Sequence, residues 1–169
     1  MGAHLLVDGY NLARSGALPL SEDPASEEGR RELCELLAEY ARGKGFRLTV
    51  VFDGRGAGRP ERSRSAFKGG AAVFSSMRET ADDVIRDMAR NAPAGTVVVT
   101  SDRGLAGTLP SRSVAASCAE FAARLFDHRM ESVKGASDGD EEARPRGKKG
   151  EGHRAKKRDR KRNDALRKL

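Results

Sequence analysis

Acidic residues stand at four places where an apolar run gives way to a turn or a helix start. These are His-Leu-Leu-Val-Asp8-Gly-Tyr-Asn11, Thr-Val-Val-Phe-Asp53-Gly, Thr80-Ala-Asp82-Asp83-Val-Ile and Val-Val-Val-Thr-Ser101-Asp102. A run of Leu, Val and Phe bounded by turn residues is the pattern of a strand buried on both faces of a parallel sheet. In such sheets ligands occupy the crevice beyond the carboxyl ends of the strands. Three strands ending in Asp bring three carboxylates to one edge, where they repel one another and stay ionised most readily beside a cation. Hard oxygen ligands suit Mg²⁺ or Mn²⁺, and the chemistry this predicts is metal-assisted attack on a phosphodiester.

Each acid also has a local role to set against that reading. Asp8 fits as a cap on the turn at Gly9, but a charge directly after a buried Leu-Leu-Val run needs a partner, which favours a ligand. Asp53 opens an Asp-Gly turn and serves either purpose. Asp102 fits equally as the N-cap of a helix starting at Arg103. Asp83 lies three residues after Thr80, the spacing of a capping box, and that duty accounts for it. Asp82 has no such duty, and helix geometry puts it nearer the apolar face made by Ala81, Val84, Ile85 and Met88. Asp82 is therefore the expected site acid of the pair.

The elements that must position these residues follow from periodicity. Strands are predicted at 4–8, 46–52, 71–75, 96–100 and 113–117. Helices are predicted from Ser26 to Gly43 or Gly45, behind Thr80, over 103–109 and over 119–133. Gly9 with Asn11 reads as a tight turn, and 54–70 as one long loop rich in Gly, Arg and Ser. Strands alternating with helices predict an α/β fold, a doubly wound parallel sheet flanked by helices.

Charge divides the chain into two parts. From Ala143 to Leu169 there are thirteen Lys and Arg against three acids, a net of +10, while residues 1–142 carry −3. A mildly acidic body with a basic tail implies a polyanionic partner, most simply nucleic acid. The expected division is a domain over 1–133 and a basic tail over 134–169, disordered when unbound for want of apolar periodicity. Cys34 and Cys118 stand outside any metal-ligand spacing, as expected of thiols in a reducing cytoplasm. No apolar stretch reaches membrane-spanning length, so no membrane partner is expected. With no Trp, two Tyr and six Phe, a base-stacking platform is disfavoured, and RNA would be gripped by its backbone.

Taken together, Leu-Val-Asp8-Gly-Tyr-Asn11, Val-Val-Phe-Asp53, Glu79-Thr-Ala-Asp82-Asp83 and Thr100-Ser-Asp102 resemble the YacP-like branch of the NYN domains, PIN-like metal-dependent ribonucleases. The resemblance covers residues 3–133 and stops short of the tail. It implies a PIN-like sandwich, a Mg²⁺ or Mn²⁺ site and RNA cleavage, with some relatives acting on mRNA at the ribosome. By resemblance Asn11 orients a water or ligand beside Asp8, and it also reads as a plain turn residue. The expected catalytic set is Asp8, Asn11, Asp82 and Asp102, with Asp8, Asp53, Asp82 and Asp102 toward the metal. Relatives in the wider PIN group often carry another acid after the last of these, where this chain has Arg103, Gly104 and Leu105, so one metal is expected and a second left open.

RNA contacts are expected from Arg55, Arg59, Arg62, Arg64 and Lys68 in the 54–70 loop, and from Lys156, Lys157, Arg158, Arg160, Lys161 and Arg162 in the tail. The function expected is that of an endoribonuclease acting on RNA and not DNA. The alternative is a catalytically weak RNA-binding or ribosome-associated module. A haloacid dehalogenase-type site fails because Tyr10 stands where its second Asp belongs. A dinucleotide site fails for want of Gly-x-Gly-x-x-Gly after the first strand.

Overall fold

The structure, a computed structural model, describes residues 3–54 and 58–135. Side chains alternating across the central strand divide the hydrophobic interior in two. In β1 (His4–Asp8), Leu5 and Val7 face one cluster and Leu6 the other, all three fully buried. The first cluster packs α1 (Gly9–Arg14), α2 (Glu27–Lys44) and α5 (Cys118–Gly135) on one side of the sheet. The second packs α3 (Ala81–Asn91) and α4 (Arg103–Thr108) on the other. Period-two burial and helices on both faces make the three layers expected of an α/β chain.

The sheet runs β3–β4–β2–β1–β5–β6, with β2 at Arg47–Phe52, β3 at Ser63–Phe67, β4 at Gly70–Phe74, β5 at Val97–Val99 and β6 at Val114–Ala116. All neighbours are parallel except β3, which pairs antiparallel with β4 at the edge. After β1 the chain leaves along one face, and after β5 it leaves along the other. The crevice between adjacent strands whose connections diverge is where α/β sheets hold ligands, and here it opens between the ends of β1 and β5.

Three expectations need correction. The turn at Gly9–Asn11 is the first turn of α1, capped by Asp8, whose side chain accepts from the Asn11 N–H. The 54–70 segment is not all loop, because β3 forms within it and makes a hairpin with β4. The sheet is consequently mixed and not purely parallel. β3 escaped notice because Ser63-Arg-Ser-Ala-Phe67 lies at an edge, largely exposed, and carries none of the apolar pattern of a buried strand.

Local sequence explains the helices beside the crevice. Thr80 caps α3 and accepts from the Asp83 N–H, while the Asp83 carboxylate accepts from the Thr80 N–H, a complete capping box. α1 starts on Gly9 because its backbone presses against Phe52, and a Cβ there would lie 2.5 Å from the ring. Gly9→Ala should therefore force the Phe52 ring aside and cost about 1–3 kcal/mol through overpacking. Urea denaturation should show a lower midpoint with an unchanged slope. A midpoint equal to the parent's would mean that the ring yields freely.

Candidate functional site

β1 ends in Asp8, β2 runs into Asp53, β5 into Thr100, Ser101 and Asp102, and the start of α3 supplies Asp82. The cleft these elements enclose, of about 610 Å³, is lined by Asp8, Asn11, Asp53 and Asp82 together with Tyr10, Arg14, Ser15, Thr80, Ala81 and Ser101. Of the expected site acids, three line this space, and Asp102 lies beside it at the cap of α4.

Asp8 is 7% exposed. One of its oxygens accepts from the Asn11 N–H at 3.3 Å and the other from the Thr100 hydroxyl at 3.4 Å. Burial pushes its carboxyl up to about 6, the Asn11 N–H and the Thr100 hydroxyl oppose that, and the charges of Asp82 and Asp102 add to it. Burial also raises Asp82, with Asp102 the next cause, while Arg86, 3.8 Å away, pulls it back. Asp102 caps α4 by accepting from the Leu105 N–H at 2.9 Å, the N-cap role read for it in the sequence. Asp53 accepts from the Ser75 hydroxyl at 3.4 Å, and that hydroxyl accepts from the Gly54 N–H at 2.9 Å. Gly54 is required there, because a Cβ would lie 2.1 Å from the Ser75 carbonyl oxygen.

Asn11 is held by groups that fix which way its amide faces. Its side-chain oxygen accepts from the Ser101 N–H at 2.8 Å and from the Cys118 thiol at 3.1 Å. A backbone N–H can only donate, so the oxygen and not the NH₂ must face Ser101. Burial raises the Cys118 thiol, which keeps it a donor. Ser101 in turn accepts from the Cys118 N–H at 3.0 Å. The Asn11 NH₂ is left as the donor for a ligand in the cleft it lines.

Asp8, Asp82 and Asp102, whose charges act on one another, and Asp53, whose charge acts on Asp82, offer the hard oxygen donors that a divalent cation prefers. Among the described residues, however, no three His, Cys, Asp or Glu side chains stand close enough together to chelate one ion. Mg²⁺ commonly keeps several waters and takes one or two protein carboxylates plus substrate phosphate. The donor set fits that mode of binding and does not form an all-protein cage.

The cations expected to meet RNA separate sharply. Arg62 is committed, donating two bonds to Glu79 (3.0 and 2.7 Å) and one to Asp87 (2.8 Å), and these bonds hold the Glu79 carboxyl down at about 2. Lys68 follows the end of β3 that pairs with Gly70, and Gly70 aligns with Leu48 at the start of β2, the sheet edge opposite the carboxylates. Arg64 lies on β3, and its charge acts on His4 at the start of β1. Arg59 stays near the site, its guanidinium 4.8 Å from the Phe74 ring centre. Arg55 and the tail residues Lys156, Lys157, Arg158, Arg160, Lys161 and Arg162 lie outside the described residues. Sequence reasoning assigns no site role to Tyr10, Arg14, Thr100, Ser101 or Cys118. The i, i+4 pair Tyr10 and Arg14 becomes a signal once α1 is recognised as a helix.

Asp8 binds its proton more tightly folded than unfolded. Its contribution to stability is complete below pH 3.8 and is lost as the pH rises through about 6. In EDTA, Asp8→Asn should be more stable than the parent at neutral pH by on the order of 1–3 kcal/mol, a gap that closes toward pH 4. His4, lowered to about 4 by burial and by Arg47 and Arg64, adds the opposite slope to both proteins and cancels in the difference. Denaturant melts across this pH range measure the gap, and a gap independent of pH would show that Asp8 is not buried as a charge.

The family model for the YacP-like NYN domain matches residues 5–169, so the match runs past residue 133 and through the basic tail. YacP of Bacillus subtilis (strain 168), described as uncharacterized, is 36% identical over 104 residues, 58% of this chain and 59% of that protein. The chain thus spans about three fifths of the length of that curated relative. The crystal structure of Rae1 (YacP) from Bacillus subtilis shares 27% identity with a TM-score of 0.52, covering 79% of this chain and 83% of that one. A single-site variant of the same protein gives 27% and 0.56, over 79% and 84%. With a family-model match over nearly its whole length, the chain belongs to the YacP-like NYN domain family, part of the PIN-like nuclease superfamily.

Proposed function

We propose that this chain is a metal-dependent endoribonuclease that hydrolyses RNA within the cleft between β1 and β5. The observation that carries the reading is the gathering of Asp8, Asp53 and Asp82 around one cleft, with Asp102 beside it, such that burial and mutual repulsion raise the Asp8 and Asp82 carboxyls. Such a cluster, in a cleft, is where function is expected. Membership in a nuclease superfamily supports the same reaction class.

Asp8 and Asp82 would hold a Mg²⁺ or Mn²⁺, with Asp53 and Asp102 adding negative potential or ligands through water. When bound, such an ion supplies Lewis acidity toward a phosphoryl oxygen and lowers the pKa of a water. The protein's own contribution is positional. Asn11, its oxygen tied to Ser101 and Cys118, offers its NH₂ to a phosphate oxygen beside Asp8. Imidazole has no part in the cleft among the described residues. His4 is buried against the Thr49 hydroxyl at 3.0 Å, and His128 packs on Tyr40. Attack by the RNA's own 2′-hydroxyl through a histidine base is therefore disfavoured, and water is the expected nucleophile. The tail's net +10 would add affinity for the RNA backbone, free or within a ribosome.

Cleavage of unstructured RNA should disappear in EDTA and return with Mn²⁺ or Mg²⁺, leaving 5′-phosphate and 3′-hydroxyl ends. Cyclic 2′,3′-phosphate products formed in EDTA would sink the mechanism. Tight RNA binding with no cleavage under any divalent ion would favour the second reading, an RNA-binding module built on a nuclease fold.

The two adjacent acids of α3 give a sharper test. Asp82 lines the cleft, whereas Asp83 is occupied by the cap of α3 and by Arg86 at 3.0 Å. Asp82→Asn should abolish cleavage and leave the fold stable. Asp83→Asn should keep most activity and cost roughly 0.5–1 kcal/mol through the weakened cap. Turnover on saturating RNA together with thermal melts would check both, and an active Asp82→Asn would reverse the assignment.

A further inference from the structure

Beside the carboxylates lies a row of stacked rings. Tyr10 meets Phe52 edge-on with centroids 5.2 Å apart, and Phe52 stacks on Phe74 at 5.4 Å. Phe52 is fully buried, while Tyr10 and Phe74 are partly exposed. Three guanidiniums rest against this row. Arg14 lies over Tyr10 at 4.9 Å, Arg59 over Phe74 at 4.8 Å, and Arg30 stands 6.0 Å from the Phe74 ring centre while donating to the Tyr10 hydroxyl at 3.3 Å. Tyr10 and Arg14 also line the cleft that holds Asp8 and Asp82. The row therefore starts at the site and leads away from it, past the start of α2 to the end of β4.

The partners of these arginines set them apart. Arg62 and Arg86, nearby on the surface, are both paired with carboxylates. Among the described residues Arg14, Arg30 and Arg59 make no ion pair. Arg30 donates to the Ala25 carbonyl as well as to Tyr10, and Arg59 to the Ser63 hydroxyl. A guanidinium has five N–H donors, so each retains several. A cation lying on a ring face keeps its charge, and the ring restricts its side chain, which lowers the cost of fixing its fork toward a phosphate.

We infer that Arg14, Arg30 and Arg59, braced on Tyr10 and Phe74, grip successive phosphates of a single RNA strand on one side of the scissile bond. This inference rests on the endoribonuclease reading above. Charge complementarity argues for a polyanion, since Arg14 lines a cleft whose carboxylates would otherwise repel it, and Arg30 and Arg59, likewise without an ion pair among the described residues, continue the row away from it. The narrowness of the row argues for one strand, because duplex RNA is recognised over a broad surface spanning two minor grooves. The rings serve to hold guanidiniums and are not open platforms for bases, so binding should tolerate any sequence.

The test uses the full chain in EDTA, a short fluorescein-labelled oligouridylate, and anisotropy titrations at several KCl concentrations. Arg14→Gln, Arg30→Gln and Arg59→Gln together should weaken binding about tenfold or more at low salt and reduce the slope of log K against log[KCl] by about 2, roughly 0.7 for each lost phosphate contact. The tail contributes equally to parent and variant, so the difference reports the row alone. Arg62→Gln should leave the slope unchanged. If the triple variant does not fold, the pair Arg14→Gln and Arg59→Gln, both exposed side chains, should reduce the slope by about 1.4. A parent that binds and cleaves RNA beside folded variants of unchanged slope would overturn the phosphate row and leave the nuclease reading intact. A parent that neither binds nor cleaves RNA would overturn both.

Discussion

Asp8 closes the strand on which the whole sheet is centred. β1 pairs with β2 on one side and β5 on the other, and the Leu-Leu-Val run before Asp8 is fully buried between two helical layers. The chain thus carries a carboxylate to the rim of its own core, where only an N–H and a hydroxyl offset the lost hydration. Two further carboxylates, Asp82 and Asp102, stand within reach of that charge, and their repulsion adds to the cost of ionising it. The sheet tolerates the arrangement because the packing that fixes β1 and β5 does not depend on it. Preorganised charge of this kind is what a catalytic site needs, since no reorganisation is then required when a charged ligand arrives.

The same corner shows how distant segments are made to act together. Thr100 donates to Asp8 and accepts from the Asp102 N–H, so a single hydroxyl connects the ends of β1 and β5. Asn11 on α1 receives the Ser101 N–H, and Cys118, at the start of α5, bonds both Ser101 and Asn11. Three segments that meet only in the folded state, α1, the end of β5 and the start of α5, thereby decide where one amide points. The diverging connections of β1 and β5 provide the crevice, and these bonds determine what faces into it.

Much of this was legible because burial leaves a strong mark on sequence. The apolar runs before Asp8 and Asp53 announced β1 and β2, and the run before Ser101 announced β5, since a strand buried on both faces admits little else. The capping box at Thr80 separated Asp83 from Asp82 by spacing alone, and both halves of that box are formed. Segments whose structure depends on distant partners were not legible. α1 is six residues long, too short for periodicity to register, and is sustained by the Asp8 cap and by Gly9 fitting against Phe52. β3 has no apolar face and exists because β4 offers it a ladder.

The arginines are the clearest case of information the chain does not display locally. Arg59 and Arg62 lie three residues apart in one basic segment, yet one rests on an aromatic ring and the other is divided between two carboxylates. Charge pattern alone cannot distinguish them, because the partners that claim Arg62 stand 17 and 25 residues later. Its role is nonetheless connected to the site. Glu79, which Arg62 grips, also accepts from the Ser76 N–H and immediately precedes Thr80, the cap of the helix that carries Asp82. An exposed ion pair contributes little to stability by itself. Here its geometry matters more than its energy, because it anchors the turn from which α3 begins, and that turn determines where Asp82 stands relative to Asp8.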